Sequence, residues 1–197
     1  MLRIGWEDIE NLRRFDNALK ALGGKEMRKV ANRAINHAGD RTKTQVIRAL
    51  TKQTGLKRST IVRAVKVTRS NWGTLSYSMT ARGGDIALKY FGPRETRKGA
   101  SAAPFGRRKV FPGSFMKAGW LWGKRIVKPN WNGQVFERTG GKTKSGMDKF
   151  EKVKSGVIIP QEMVIGETRR AFSGSVARLL PQRIEHEIRR ATNGVVS

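Results

Sequence analysis

An α+β fold is predicted by three features of the 197-residue sequence: apolar residues at steps of three and four before residue 65, period-two alternation with turn residues from 65 to 160, and a return of the helical period from about 161. The expected architecture is N-terminal helices, a central and mostly antiparallel sheet with long basic loops, and a kinked C-terminal helix. These parts, 1–64, 65–160 and 161–197, are expected to form a single domain over 1–197. A chain of this length can bury roughly 70% of its unfolded surface.

Trp6, Ile9, Leu12, Phe15, Leu19 and Leu22 lie on one helical stripe that is expected to stop at Gly23-Gly24. Met27, Val30, Ala31, Ala34, Ile35, Ala38, Val46, Ala49 and Leu50 predict a longer helix to about Lys52. Its packing face is rich in small residues that permit close approach of a neighbour. "TGLKRSTIVRAVKV" reads as a turn at Gly55 and a short helix begun near Ser59, whose hydroxyl can cap the first turn. A DNA-binding helix-turn-helix is disfavoured there, because "VKVTRS" already switches to a period of two.

From Val65 to Phe91, the runs Val65 and Val67, "TLSYSMTA" and "DIALKYF" predict two or three antiparallel strands separated by turns at Asn71 and Gly83-Gly84. Residues 92–104, "GPRETRKGASAAP", read as a loop. "RRKVFP" and "GSFMKAG" predict a strand pair turning at Pro112-Gly113, and "GQVFERTG" a further strand, with loops at 124–132 and 140–149. Both 92–104 and 140–149 carry little apolar surface and are expected to order only against neighbours. Phe172, Val176, Leu179, Leu180, Ile184 and Ile188 mark the last helix, which Pro181 is expected to kink.

Charge dominates the composition. The net charge is +26, from 41 Lys and Arg against 15 Asp and Glu. Residues 28–136 hold 24 of the cations against only Asp40, Asp85 and Glu95. An excess this large in one stretch repels itself in a compact chain and implies a polyanionic or acidic partner.

The same inventory excludes much chemistry. There is no cysteine, so disulfides, thiolate metal sites and thiol nucleophiles are absent. His37 and His186 have no partner at metal-ligand spacing, and Glu185 and Glu187 are expected to form surface ion pairs with Arg189 and Arg190. "RTGGKTKSG" holds Gly141-Lys142-Thr143, but Phe136 occupies the position where a phosphate-binding loop needs its first glycine. No catalytic residue, metal ligand or cofactor is expected, and the chain is read as not an enzyme. The N-terminal stretch breaks its apolar residues with Glu7, Asp8 and Glu10, and no run reaches the length of a membrane span, so a cytosolic site of synthesis is expected. Trp6, Trp72, Trp120, Trp122 and Trp131 are candidate stacking platforms for nucleic acid. Their spacing lacks the alternation of a base-stacking sheet, so anchoring of loops or protein interfaces is preferred.

Three segments in order, "FPGSFMKAG" (111–119), "GQVFERTGG" (133–141) and "KVKSGVIIPQEM" (152–163), precede a basic C-terminal helix. With the basic helical N-terminal part, this order resembles the minor tail protein Z group of tail-completion proteins from long-tailed bacteriophages and prophages. The resemblance runs from about Ala31 to Ile188 through a Pro-Gly-x-Phe corner and a Val-Phe-x-Arg strand. "KTKSGMDKFEKVKSG" departs from it, standing where the family places an apolar segment soon after that strand. The resemblance implies a non-enzymatic virion protein at the head-proximal end of the tail, helping head-tail joining and DNA passage. It also implies a homo-oligomeric ring and partners such as a tail terminator, tail tube or head-tail connector. Its place would then be the virion tail or neck, and the host cytoplasm during assembly. The alternative is a free, sequence-independent nucleic-acid-binding protein. On either reading Lys52, Lys57, Arg58 and Arg63, with Arg107, Arg108 and Lys109, are the candidate DNA-facing residues.

Overall fold

The computed structural model describes residues 1–10 and 23–193, and the predicted helical positions Leu12, Phe15, Leu19 and Leu22 lie outside them. The fold is α+β: long helices near both ends of the chain and small antiparallel sheets between them. Among the described residues the strands form two three-stranded and two two-stranded sheets in place of one central sheet. The chain divides into two compact units interleaved in sequence: Met1–Leu50, Val62–Arg82 and Pro160–Ser197 make the first, and Thr51–Ile61 with Gly83–Ile159 the second.

In the first unit, β1 (Leu2–Ile4) pairs antiparallel with β3 (Tyr77–Ala81), which also pairs with β2 (Val65–Thr68). The sequence reading missed β1, because three residues before the stripe of α1 (Trp6–Glu10) are too few to show a period. Helix α2 runs from Gly23 to Thr54, with Gly23 and Gly24 in its first turn; where the preceding stripe ends lies outside the described residues. The small packing face is as expected: Ala31, Ala34, Ile35 and Ala38 are fully buried. Gly39 continues it, since a Cβ there would lie 2.5 Å from the Tyr77 ring. Burying side chains such as Ile35, Leu50 and Ile184 stabilises the unit by about 1.5–3 kcal/mol each.

Polar side chains fix the strand ends. Asn36 donates to the Ser70 carbonyl at 2.9 Å and accepts from its N–H at 3.0 Å, and the Asn71 carboxamide oxygen accepts the Gly73 and Thr74 N–H groups at 2.9 and 2.8 Å, forming the expected turn. Asp40 accepts from the Tyr77 hydroxyl at 3.1 Å and pairs with Arg69. After α4 (Ile159–Glu162), α5 spans Gly166–Ala191 and continues on both sides of Pro181. Arg189 pairs with Glu185 at 3.2 Å as expected, but Glu187 does not sit on the surface. Its side chain is 0% exposed, hydrogen-bonded to Arg183 and 3.8 Å from both Arg33 and His186. A carboxylate so placed needs Arg183 and Arg33, and losing one leaves a buried charge uncompensated.

The second unit departs most from expectation. The short helix α3 (Arg58–Ala64) starts one residue before Ser59, and the Lys57 carbonyl receives its first N–H groups, so Ser59 is not the cap. "DIALKYF" is not a strand. Asp85 accepts three bonds from Ser155 and Gly156, Ala87 bridges Lys154, and Leu88–Phe91 form a 3-10 turn that buries Leu88 and Phe91 on one side. Residues 92–104 are not a loop awaiting a partner but the strands β4 (Arg94–Thr96) and β5 (Gly99–Ala102), with β5 buried throughout. Its small side chains carry no hydrophobic pattern, yet they let backbones meet: a Cβ on Gly99 would lie 2.0 Å from the Phe111 carbonyl oxygen.

The expected hairpin at Pro112-Gly113 is absent. β6 (Lys109–Pro112) pairs back with β5, while β7 (Lys117–Leu121) pairs forward with β8 (Lys124–Val127) inside the supposed 124–132 loop. The 140–149 loop is likewise the turn of a hairpin between β9 (Phe136–Lys142) and β10 (Asp148–Lys152), where Asp148 pairs with Arg138 and with Lys142 at 2.5 Å. Lys142, and to a lesser degree Arg138, hold the Asp148 carboxyl below the usual carboxylate range. Phe115, Trp131, Phe136 and Phe150 stack with centroids 4.5–6.3 Å apart, so Trp131 anchors loops as expected.

His37, on α2, yields a pH prediction. Burial lowers its pKa below 6.5, with Arg183 and Arg41 adding to the effect and Glu187 and Asp40 opposing it. A depressed folded-state pKa means that the unfolded chain takes the proton first, so stability present above pH 6.5 is lost as pH falls through that value toward the folded pKa. Thermal midpoints of wild type and His37→Gln measured between about pH 8 and about pH 5 check this. The wild type is expected to lose more on acidification, and parallel curves would contradict the assignment.

Candidate polyanion interface

The sequence-predicted cations come from two separate stretches. Lys52 lies in the last turn of α2, Lys57 just before α3, and Arg58 and Arg63 within α3. Arg107 and Arg108 follow the 3-10 turn Pro104–Gly106, and Lys109 opens β6. All seven side chains are exposed.

The second unit brings the two stretches together through a close backbone approach. Gly55 ends α2 at φ +74, and a Cβ on it would lie 2.5 Å from the Gly106 nitrogen and 3.0 Å from the Ala103 oxygen. Gly106 is itself at φ +71. Two glycines in the left-handed region, one before Lys57-Arg58 and one before Arg107, therefore touch, which brings the backbone of the turn before Lys57 and Arg58 against that of the turn before the 107–109 run. Arg63 lies in the first unit. Neither Gly55 nor Gly106 was read from the sequence as a site residue. Close approach between distant glycines has no local signature.

The run 107–109 is not three equivalent cations. The Arg108 guanidinium donates to the Ser101 carbonyl at 3.0 Å, the Ser101 hydroxyl at 3.3 Å and the Gly92 carbonyl at 3.2 Å, tying β5 to the turn after Phe91. Lys109 Nζ stands 4.9 Å from the Phe111 ring centroid. Arg108 therefore has a structural duty as well as a charge, and its neighbours are the more available to a ligand. Among the described residues no carboxylate lies within ion-pair distance of Lys57, Arg58, Arg63, Arg107 or Lys109.

Lys57, Arg58, Arg107 and Lys109, with no carboxylate beside them among the described residues, can attract anions through their charge, without a fixed set of hydrogen-bond donors for reading bases. Among the described residues no group of three or more His, Cys, Asp or Glu could hold a metal ion, and no helix is long and apolar enough to cross a membrane. Fold and site thus define an α+β protein in which two touching turns are each followed by exposed cations. No protein-family model, curated protein or solved structure matches the chain.

Gly55→Ala tests the contact of the two turns. The side chain enters the left-handed region at a cost of about 1–2 kcal/mol and must also displace the Gly106 backbone. Urea unfolding is expected to show a loss of at least that size, with weaker binding to duplex DNA at a temperature where the variant remains folded. Undiminished stability would mean that the two turns do not touch.

Proposed function

We propose that the chain is a non-enzymatic structural virion protein of a long-tailed bacteriophage. It would act as a tail-completion or neck component at the head-proximal end of the tail, helping heads join tails and DNA pass. The resemblance of residues 111–119, 133–141 and 152–163 to the minor tail protein Z group supplies the class. The observation that carries the nucleic-acid half is the junction at Gly55 and Gly106, which sets two acid-free basic stretches side by side. A ring of such subunits would present that patch to DNA in its lumen, and its remaining surface to neighbours such as a tail terminator, tail tube or head-tail connector. The same patch would serve a free, sequence-independent nucleic-acid-binding protein. Mass spectrometry of purified particles separates the two readings, since only the virion component is expected there at a fixed number of copies per particle.

Duplex DNA binding is expected to be indifferent to sequence. It should weaken by about 10³-fold or more between about 50 mM and about 200 mM salt if six or more phosphates are met. Replacing Lys52, Lys57, Arg58, Arg63, Arg107 and Lys109 by serine while keeping Arg108 should reduce the salt slope by about 0.9 for each phosphate no longer neutralised, with the melting temperature little changed. An unchanged slope, with particles that fail to join, would make the patch a protein interface.

A further inference from the structure

A second basic feature of the second unit lies outside these clusters. A cleft of about 320 Å³ is lined by Arg97, Lys98, Lys117, Arg125 and Arg138, with Glu95 as its one carboxylate. Glu95 is already engaged, its Oε2 accepting the Met116 and Lys117 backbone N–H groups at 2.9 and 2.8 Å. Among the described residues the charged ends of Arg97, Lys98 and Lys117 meet no carboxylate.

The walls are built rather than incidental. Gly113 donates to the Lys98 carbonyl at 3.2 Å, and the Ser114 hydroxyl donates to the Phe111 carbonyl at 2.6 Å while accepting from the Ala100 N–H at 2.9 Å. These bonds fix the turn after β6 against the β4–β5 turn that carries Arg97 and Lys98. On the far side the Arg138 guanidinium lies 5.6 Å from the Phe115 ring centroid and pairs with Asp148, so its position is set from two directions. Concentrating like charges in a concave space is unfavourable without an anion. Arginine in particular presents donors matched to phosphate oxygens.

We propose that this cleft is a phosphate site, taking a compact group with several negative charges. The shared chemistry is a phosphate held by arginine and lysine, supplied either by a nucleic-acid strand or by a free polyphosphate. The volume admits a few phosphates and excludes a duplex. Position makes the first source reachable, since the cleft begins at Gly113, directly after β6, about 13 Å along the strand from Lys109 at an extended rise per residue. The site is separate from the patch at the two turns and does not depend on the virion reading.

Isothermal titration of the full chain with inorganic tripolyphosphate tests it. One ion per chain is expected to bind saturably. Affinity should drop about tenfold or more in Arg97→Ser/Lys98→Ser, whose targets sit on an exposed turn, and in Ala118→Trp, which fills the cleft while keeping every charge. Lys57→Ser/Arg58→Ser is expected to bind tripolyphosphate as the wild type does while losing affinity for duplex DNA. Circular dichroism melts establish that each variant is folded. Competition between tripolyphosphate and a short single-stranded DNA would name the nucleic acid as the source, and binding without competition a free polyphosphate. Absence of saturable binding, or equal affinity in wild type and both cleft variants, would overturn the proposal whatever duplex DNA does.

Discussion

The structure depends on what its few carboxylates do. Within the basic middle of the chain, residues 28–136, the acids are Asp40, Asp85 and Glu95. Asp40 holds Tyr77 and Arg69, Asp85 holds the backbone at Ser155 and Gly156, and Glu95 holds the backbone at Met116 and Lys117. Hydrogen bonds to a charged acceptor stabilise by roughly 1.5–3 kcal/mol, about twice a neutral bond, so each is an effective staple. Two of the three serve the backbone, and the third joins a helix to a strand. Among the described residues Lys57, Arg58, Arg107 and Lys109, by contrast, have no carboxylate within ion-pair distance, and their side chains are exposed.

That economy explains how a strongly basic chain folds at all. The apolar core is modest and is divided between two units, so local tethers matter: Asn36 on Ser70, Arg108 on Ser101 and Gly92, and the four-ring stack around Phe115. The candidate surface then follows from the backbone. Gly55 and Gly106 allow two turns to touch, and exposed cations follow each turn.

The helices were legible because their signal is periodic and long. Ala31, Ala34, Ile35 and Ala38 announce the packing face of α2, and Val176, Leu180, Ile184 and Ile188 that of α5. The strands from 92 to 127 were not, for a physical reason. β5 is built of glycine, alanine and serine, which pack through their backbones and leave no alternation to read, while β8 is exposed along its length and has no buried face to pattern. Glu187 was misplaced because a helix position alone does not reveal that its carboxylate is buried with Arg183 and Arg33 reaching it. Of the candidate site, the cations were visible as a charge run. The contact of the turns that carry them, the structural duty of Arg108 and the cleft cations Arg97, Lys117 and Arg138 needed the tertiary folding that gathers them.

Whether the Gly55–Gly106 junction creates one polyanion-facing surface is tested most directly by lysine footprinting. The chain would be modified with an amine-reactive probe, with and without random-sequence duplex DNA, and each site read by mass spectrometry. Lys57 and Lys109, distant in sequence, are expected to be protected together and to regain reactivity together as salt is raised, while Lys144 and Lys154 stay reactive throughout. Protection of Lys57 without Lys109, or equal reactivity at all four with DNA bound, would contradict it.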